Sequence, residues 1–330
     1  MTDAPLLQVE DLNLKFHLYE GVSHVLNGVA MHVRGGERVA LVGESGCGKS
    51  VFVRTVLGLL ARRNVEVSGR IRYHGEDLFG LSDGQRRELR GRKITMIFQD
   101  PSAALNPVFT IAQQMTEVIR RGNPSCRSAE ALDIARQSLL QVAIDEPDRV
   151  LKSYPFQLSG GMNQRVVITM ALVNRPELVL ADEPGTSLDV TVQEQTLQLM
   201  TRLTHDAGAA VLLIAHNLGV VREFAERVYV MYAGTVVEEG TVEEVFRDPL
   251  HPYTKALFEA VPRLTGGAMP RAIEGMVPDY TRAPEGCRFH PRCPHATERC
   301  KVPPPNVTMG PGRRVRCILH EGEAEEAVHG

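Results

Sequence analysis

The chain has 330 residues, 43% of them apolar and 23% charged, with a formal net charge of -3. That length suits one large or two ordinary domains, and the composition is that of an ordinary globular protein. The slight negative balance gives no electrostatic reason to expect a nucleic-acid partner, and no apolar run approaches the roughly 18 residues that would span a bilayer. The N-terminus, MTDAPLLQVEDL, lacks the basic-then-apolar pattern of a secretory signal. The expected compartment is the cytoplasm, where clustered cysteines read as metal ligands or reactive thiols and not as disulfides.

In chain order, residues 6–16 and 24–33 alternate apolar and polar and predict antiparallel strands. Arg38–Val42 is a short buried strand, followed by a Gly-rich turn and a helical pattern from Lys49 to Leu60. Val67–Tyr73 and Ile94–Phe98 predict further strands. From Phe109 to about Asn174 the pattern is helical: one helix over 109–121, a second over 128–142 with Ser128 as N-cap, and a third from the glycines at 160–161. Strand patterns return at Leu178–Ala181, Ala210–Ala215, Val228–Met231 and Thr235–Glu238, with a helix over 190–206. Strands alternating with helices imply an α/β sheet with mixed edges, and the block 109–174 reads as a helical subdomain inserted into it. Beyond Pro262 the last 68 residues hold nine of the twenty prolines and little periodicity, which predicts a loop-rich appendage with a frayed acidic end at 321–326.

Gly43-Glu-Ser-Gly-Cys-Gly-Lys-Ser50 fits the P-loop pattern G-x-x-x-x-G-K-[ST] and sits between a strand and a helix, the context the pattern requires. Glycines let the loop curl so that main-chain N–H groups face phosphate oxygens, and the helix start adds partial positive charge. Lys49 would neutralise the β- and γ-phosphates and Ser50 would ligate Mg²⁺. Leu178-Val-Leu-Ala-Asp-Glu-Pro184 supplies a buried strand ending in two carboxylates. Asp182 is placed to hold Mg²⁺, and Glu183 to polarise an attacking water.

Leu158-Ser-Gly-Gly-Met-Asn-Gln-Arg165 resembles the LSGGQ signature of ABC-type ATPases. The resemblance covers residues 6 to about 262. It implies a P-loop ABC ATPase core with an antiparallel β subdomain and the inserted helical subdomain (residues 1–262), followed by a Cys/Pro-rich C-terminal appendage (263–330). Ser159, Gly160 and Gly161 would bind the ATP held by a second subunit. Gly43, Ser45, Gly46, Cys47, Gly48, Lys49, Ser50 and Val51 would hold the chain's own ATP. Gln99 resembles the Q-loop glutamine, which reaches Mg²⁺ or the attacking water. Ser187-Leu-Asp189 resembles the D-loop, and His216 the switch histidine on the γ-phosphate. Phe16, 33 residues before Lys49, is the expected adenine platform, with Tyr19 as competitor. Asn163 and Gly185 depart from common family residues. Asn163 is expected to project from its helix with little effect, and Gly185 to loosen the loop that follows. Cys47, at a variable position, is a candidate reactive thiol in the field of the helix start.

Asp100-Pro-Ser-Ala-Ala-Leu-Asn-Pro107, LDVTVQ at 188–193 and His251-Pro-Tyr-Thr254 are similar to the ATPases of oligopeptide/dipeptide importers, in wording nearer the D-type subunit. That resemblance implies a second homologous ATPase, two membrane permeases, an extracytoplasmic binding protein and a place on the cytoplasmic face of the membrane. Uptake of nickel, glutathione or an oligosaccharide is an alternative, as is a soluble ABC ATPase acting outside transport. Four of the six cysteines, Cys287, Cys293, Cys300 and Cys317, lie in the tail, separated by five, six and sixteen residues. Zinc sites favour tighter pairs, although His290, His295 and His320 add candidate ligands. Four thiolates suit an iron–sulfur centre, relatives with a similar tail hold a [4Fe–4S] cluster at matching positions, and reduced free thiols are the alternative.

Overall fold

The computed structural model describes residues 4–60, 63–186, 189–260 and 273–322. By Cα proximity the chain divides into two units. The first comprises Met1–Val33, Arg38–Phe79 and Ile214–Gly330; the second comprises Arg34–Glu37 and Gly80–Leu213.

The first unit opens with β1 (Leu7–Leu18) and β2 (Gly21–Val33), an antiparallel pair running from Leu7↔Val33 to Leu18↔Gly21. β1 buries Leu7, Val9, Leu12 and Leu14, the apolar half of its alternation. β3 (Arg38–Val42) follows, then α1 (Lys49–Val56), β4 (Val65–Tyr73) and β5 (Glu76–Asp77). β4 lies antiparallel to β1, giving a four-stranded sheet β2-β1-β4-β5. Where β1 and β4 cross a bulge, Gly69 (φ +98°) backs onto Asp11, and a Cβ there would lie 2.3 Å from the Asp11 carbonyl oxygen.

The second unit holds α2 (Asp83–Leu89), β6 (Ile94–Ile97), α3 (Pro101–Ala104), α4 (Ile111–Gly122), α5 (Ser128–Gln141), α6 (Pro147–Lys152), α7 (Gly160–Leu172), β7 (Leu178–Asp182), α8 (Val190–Ala207) and most of β8 (Ala210–Ala215). β6 and β7 run parallel, Ile94 opposite Leu178. α4 starts in a capping box between Thr110 and Gln113 and buries Ile111, Met115 and Ile119 along one stripe. α5 meets it with Ala131 and Ala135, small residues that allow close approach, and Leu139. The Ser128 prediction is corrected. Arg127 is the N-cap and makes no side-chain cap bond, so Ser128 is the first helical residue. α8 is capped by Asp189, whose carboxylate accepts the Val192 N–H at 2.9 Å, and ends at Gly208 in a left-handed conformation.

The chain then returns to the first unit with α9 (Leu218–Phe224), β9 (Arg227–Tyr232), β10 (Thr235–Thr241), α10 (Val242–Arg247) and α11 (Pro252–Glu259). β3 and β9 pair in parallel and are almost wholly buried, which accounts for their unbroken apolar wording. Two strands lie in the tail, where the lack of periodicity predicted only loops. β11 (Val307–Gly310) and β12 (Arg313–Val315) form a short hairpin, and β12 adds to β10 by pairing Val315 with Glu238. Only three or four residues long, they are too short to register as alternation. The neighbouring strands that fix them are distant in sequence. α1 also stops sooner than predicted, at Val56, because Gly58 takes a left-handed φ of +61°.

Candidate nucleotide site

In the first unit, β3 runs into the loop Gly43–Ser50 and α1 begins at Lys49. Gly43 presses on β9: a Cβ there would come within 2.1 Å of the Met231 carbonyl oxygen. Gly46 and Gly48 take φ of +80° and +105°, which only glycine adopts without strain. Gly48 is the N-cap of α1 and has no side chain to cap it, so the first N–H groups keep their capacity for an anion. Lys49 is 5% exposed, and its Nζ donates to the carbonyls of Gly43 (2.8 Å) and Glu44 (3.0 Å). Ser45 and Gly46 face solvent, while Ser50 and Val51 are half-buried. Cys47 is wholly buried and its thiol is pushed up by that burial, which outweighs the Lys49 charge beside it. The expectation of a reactive thiol therefore fails: desolvation of the thiolate wins over the helix field.

Also in this unit, Phe16 is half-buried on β1 and Tyr19 stands fully exposed in the β1–β2 turn. His216 is exposed just past β8, ahead of Asn217, which caps α9 by accepting the Gly219 N–H at 2.9 Å.

In the second unit, Asp182 ends β7 and is buried. Glu183 follows with φ +48°, a strained conformation for a residue with a Cβ, of the kind found at reacting centres. The Gln99 amide donates to Glu183 Oε2 at 3.3 Å and to Thr186 Oγ1 at 3.4 Å, so the Q-loop and the strand-end carboxylate meet within one unit. Thr186 also donates to the Glu183 carbonyl at 3.1 Å. Its bridging role had no sequence signal beyond its place after the acidic pair. Gly185 has φ +88°, so it fills a left-handed position in this turn.

Ser159 caps α7, its Oγ accepting the Met162 N–H at 3.3 Å, and Gly160 and Gly161 form the first turn. A Cβ at Gly161 would lie 3.2 Å from Val192 Cγ1. Asn163 does not project as predicted. It is buried, and its amide donates to the Pro155 carbonyl at 3.0 Å, tying the signature turn to the segment before it. Ser187 and Leu188 lie outside the described residues.

The four tail cysteines line one narrow cavity together with His251, Phe289, His290 and His295. The Cys287 thiol is raised to about 11, chiefly by burial and further by the other three thiols. Gly286, at φ +69°, permits the close approach that brings Cys287 N–H to the Cys300 carbonyl at 2.8 Å. Among the described residues, no group of three or more His, Cys, Asp or Glu is set as a site for a single metal ion. His251 is buried. Its Nδ1 accepts the Tyr253 N–H at 3.0 Å, and burial holds its pKa down at about 3, so the ring is neutral with its proton on Nε2. That Nε2 has no hydrogen-bond partner. His251 entered the sequence reading only as part of a motif; its buried donor is visible only in the fold.

The first unit thus carries a phosphate loop opening α1, and the second carries buried Asp182 ending β7 with a strained Glu183 beside Gln99; each is a part found in P-loop nucleotide hydrolases. The fold is similar to the dimeric ATP-binding cassette MJ0796 solved with ADP and Pi, with a TM-score of 0.64 and 27% identity over 72% of this chain and 98% of that one. Residues 26–186 match the ABC transporter family, and residues 237–300 match the oligopeptide/dipeptide transporter C-terminal region. The chain is 43% identical to the oligopeptide transport ATP-binding protein AppD of Bacillus subtilis, covering 98% of this chain and 99% of that one. It is 42% identical to the oligopeptide transport ATP-binding protein OppD of Salmonella typhimurium, covering 96% of each. The chain belongs to the ABC transporter family and is one of its ATPases.

Proposed function

We propose that this chain hydrolyses ATP to drive an importer of di- or oligopeptides. The observation that carries the reading is a full set of nucleotide residues followed by a tail matching the oligopeptide/dipeptide transporter C-terminal region. Among the described residues no helix is long and apolar enough to cross a membrane, so coupling to transport requires membrane partners. Those partners are two permeases with an extracytoplasmic binding protein, and the chain works at the cytoplasmic face beside a second, homologous ATPase.

In this reading, the P-loop N–H groups and Lys49 bind the β- and γ-phosphates, and Phe16 stacks on the adenine. Lys49 gives up its bonds to the loop carbonyls as phosphate arrives. Ser50, Asp182 and Gln99 supply hard oxygen ligands that suit Mg²⁺, which neutralises phosphate charge when bound. Glu183 orients and deprotonates the attacking water, Gln99 holds that carboxylate in place, and His216 contacts the γ-phosphate. Ser159, Gly160 and Gly161 present the α7 N-terminus to the nucleotide of the partner ATPase.

The four-cysteine cavity is read as an iron–sulfur site with a structural role. Four soft thiols face one space, and the unpartnered His251 Nε2–H lacks only the acceptor that a metal-bound sulfur provides. As folded the cavity has about 10 Å³ of free space. Anaerobic purification should give brown protein with absorption near ~400 nm and stoichiometric iron. Colourless protein containing zinc would refute the assignment.

The test of the main reading is Glu183→Gln in the complex with its membrane subunits. ATPase turnover and peptide uptake should fall about 10²- to 10⁴-fold with ATP binding retained. Unchanged turnover would remove Glu183 from the chemistry, and uptake of nickel in place of peptide would reassign the cargo.

A further inference from the structure

Two tail residues, Arg292 and Tyr280, bond the phosphate loop directly, and a third, Arg288, reaches it only through Ala233 and Gly234. Arg292, with a side chain 5% exposed, grips Glu44 with both ends of its fork: Nη1 to Oε2 at 2.7 Å and Nη2 to Oε1 at 3.1 Å. Its remaining donors go to the carbonyls of Glu274 (2.8 Å) and Ile273 (3.1 Å) and to the Tyr232 hydroxyl (3.3 Å), and its guanidinium lies 5.7 Å from the Tyr232 ring centre. Tyr280 Oη donates to the Gly46 carbonyl at 2.7 Å, while its own carbonyl accepts the His24 N–H at 3.0 Å. Arg288 bonds the Ala233 carbonyl, and the next residue, Gly234, donates to the Cys47 carbonyl at 2.8 Å. Tyr253 accepts the Glu44 N–H at 2.8 Å.

Positions 44, 46 and 47 of the loop are thus held from outside it. Glu44 and Cys47 occupy places where the P-loop pattern allows any residue, so phosphate binding alone does not account for these bonds. A peptide plane fixed by its carbonyl also fixes the direction of the N–H on its other side. The held Gly46 carbonyl sets the Cys47 N–H, which closes the loop's own turn onto the Glu44 carbonyl at 3.2 Å, and the held Cys47 carbonyl sets the Gly48 N–H at the start of α1. Arg292 also adjoins Cys293, in the short turn His290–Arg292 between two of the pocket cysteines. A shift of the Cys293 main chain is therefore passed directly to Arg292.

We propose that Arg292 and Tyr280 are positioning residues for the phosphate loop, and that the four-cysteine pocket sets nucleotide affinity through Arg292. The proposal rests on the nucleotide reading of Gly43–Ser50. It needs no particular metal, only that occupancy or substitution of the pocket shifts residues 287–293.

The test uses the full chain and measures ATP affinity and steady-state kinetics. Arg292→Ala should raise the ATP Kd by about tenfold or more, within the usual range of site-to-site coupling. Arg292→Lys, a charge without the fork, should recover part of the loss, and Tyr280→Phe should raise Kd several-fold. KM should rise while kcat changes little. By reciprocity, saturating ATP should slow amide hydrogen exchange over 287–301 in the wild type and not in Arg292→Ala. Cys293→Ser should change the Kd in the wild type and add nothing in Arg292→Ala.

Lys49→Ala is the control for the underlying reading. If it abolishes ATP binding while the Arg292 and Tyr280 variants bind as the wild type does, the clasp is overturned and the nucleotide site stands. If Lys49→Ala binds normally, the nucleotide reading itself fails. Should Arg292→Ala not fold, Arg292→Lys and Tyr280→Phe decide the matter. An unchanged Kd in Cys293→Ser would overturn the link to the pocket.

Discussion

Cys47 illustrates how a residue's surroundings override its position. A thiol at a helix start is acidified by the helix field, yet this one is wholly buried and its pKa is raised. It should resist iodoacetamide in the native chain and react only on unfolding, as mass spectrometry of the labelled peptide would register. Rapid native labelling would mean that the loop opens far more than its bonds to Gly234 and Tyr253 suggest. Asn163 is a similar case. At a helix start a polar side chain is expected to point outward, but here it turns in to satisfy the Pro155 carbonyl. Glu183 was legible as a catalytic candidate from its place after Asp182. Its positive φ and its contact with Gln99, 84 residues away, were not.

Among the elements, β10 ties the cassette to the tail. Glu238 on β10 has a fully buried side chain that accepts the N–H groups of Leu250 and His251 at 2.9 Å each and lies 3.8 Å from Arg313 on β12. Removing it strands two buried main-chain donors and leaves Arg313 with only the carbonyl and carboxylate of Asp248. Glu238→Ala should cost about 3–5 kcal/mol in urea unfolding. A loss under 1 kcal/mol would mean that water replaces the carboxylate.

The helical segments of the second unit leave apolar side chains in solvent. Val108 is 70% exposed and Phe156 72%, with Phe156 stacked on Tyr154 at 5.5 Å. Large apolar side chains left in solvent are candidates for an interaction face, and each of these two is tested singly. Val108→Asp and Phe156→Asp should abolish co-purification with the permeases while leaving ATP affinity unchanged. Co-purification at the wild-type level would place the docking face elsewhere.

At the scale of the whole chain, the strand and helix order was legible because the elements that carry it are long or strongly periodic. β1, β2, α4 and α8 span 12, 13, 12 and 18 residues, enough for period-2 or period-3.6 patterns to emerge. The hairpin β11–β12 was not legible, since three- and four-residue strands carry no period and are selected by β10. The nucleotide residues were legible because phosphate chemistry demands particular residue types at short, fixed spacings: glycines for the curl, Lys for the charge, and an acid at the strand end. By itself the sequence determined the ATPase class, the order of its motifs and the gathering of four cysteines in the tail, all local patterns that need no fold to be read. Only the tertiary structure decided that those cysteines share a cavity with a buried histidine donor, and that Arg292 and Tyr280 hold the phosphate loop. The bonds from Arg292 and Tyr280 join residues more than 200 positions apart, and the packing that creates them leaves no periodic trace in the chain.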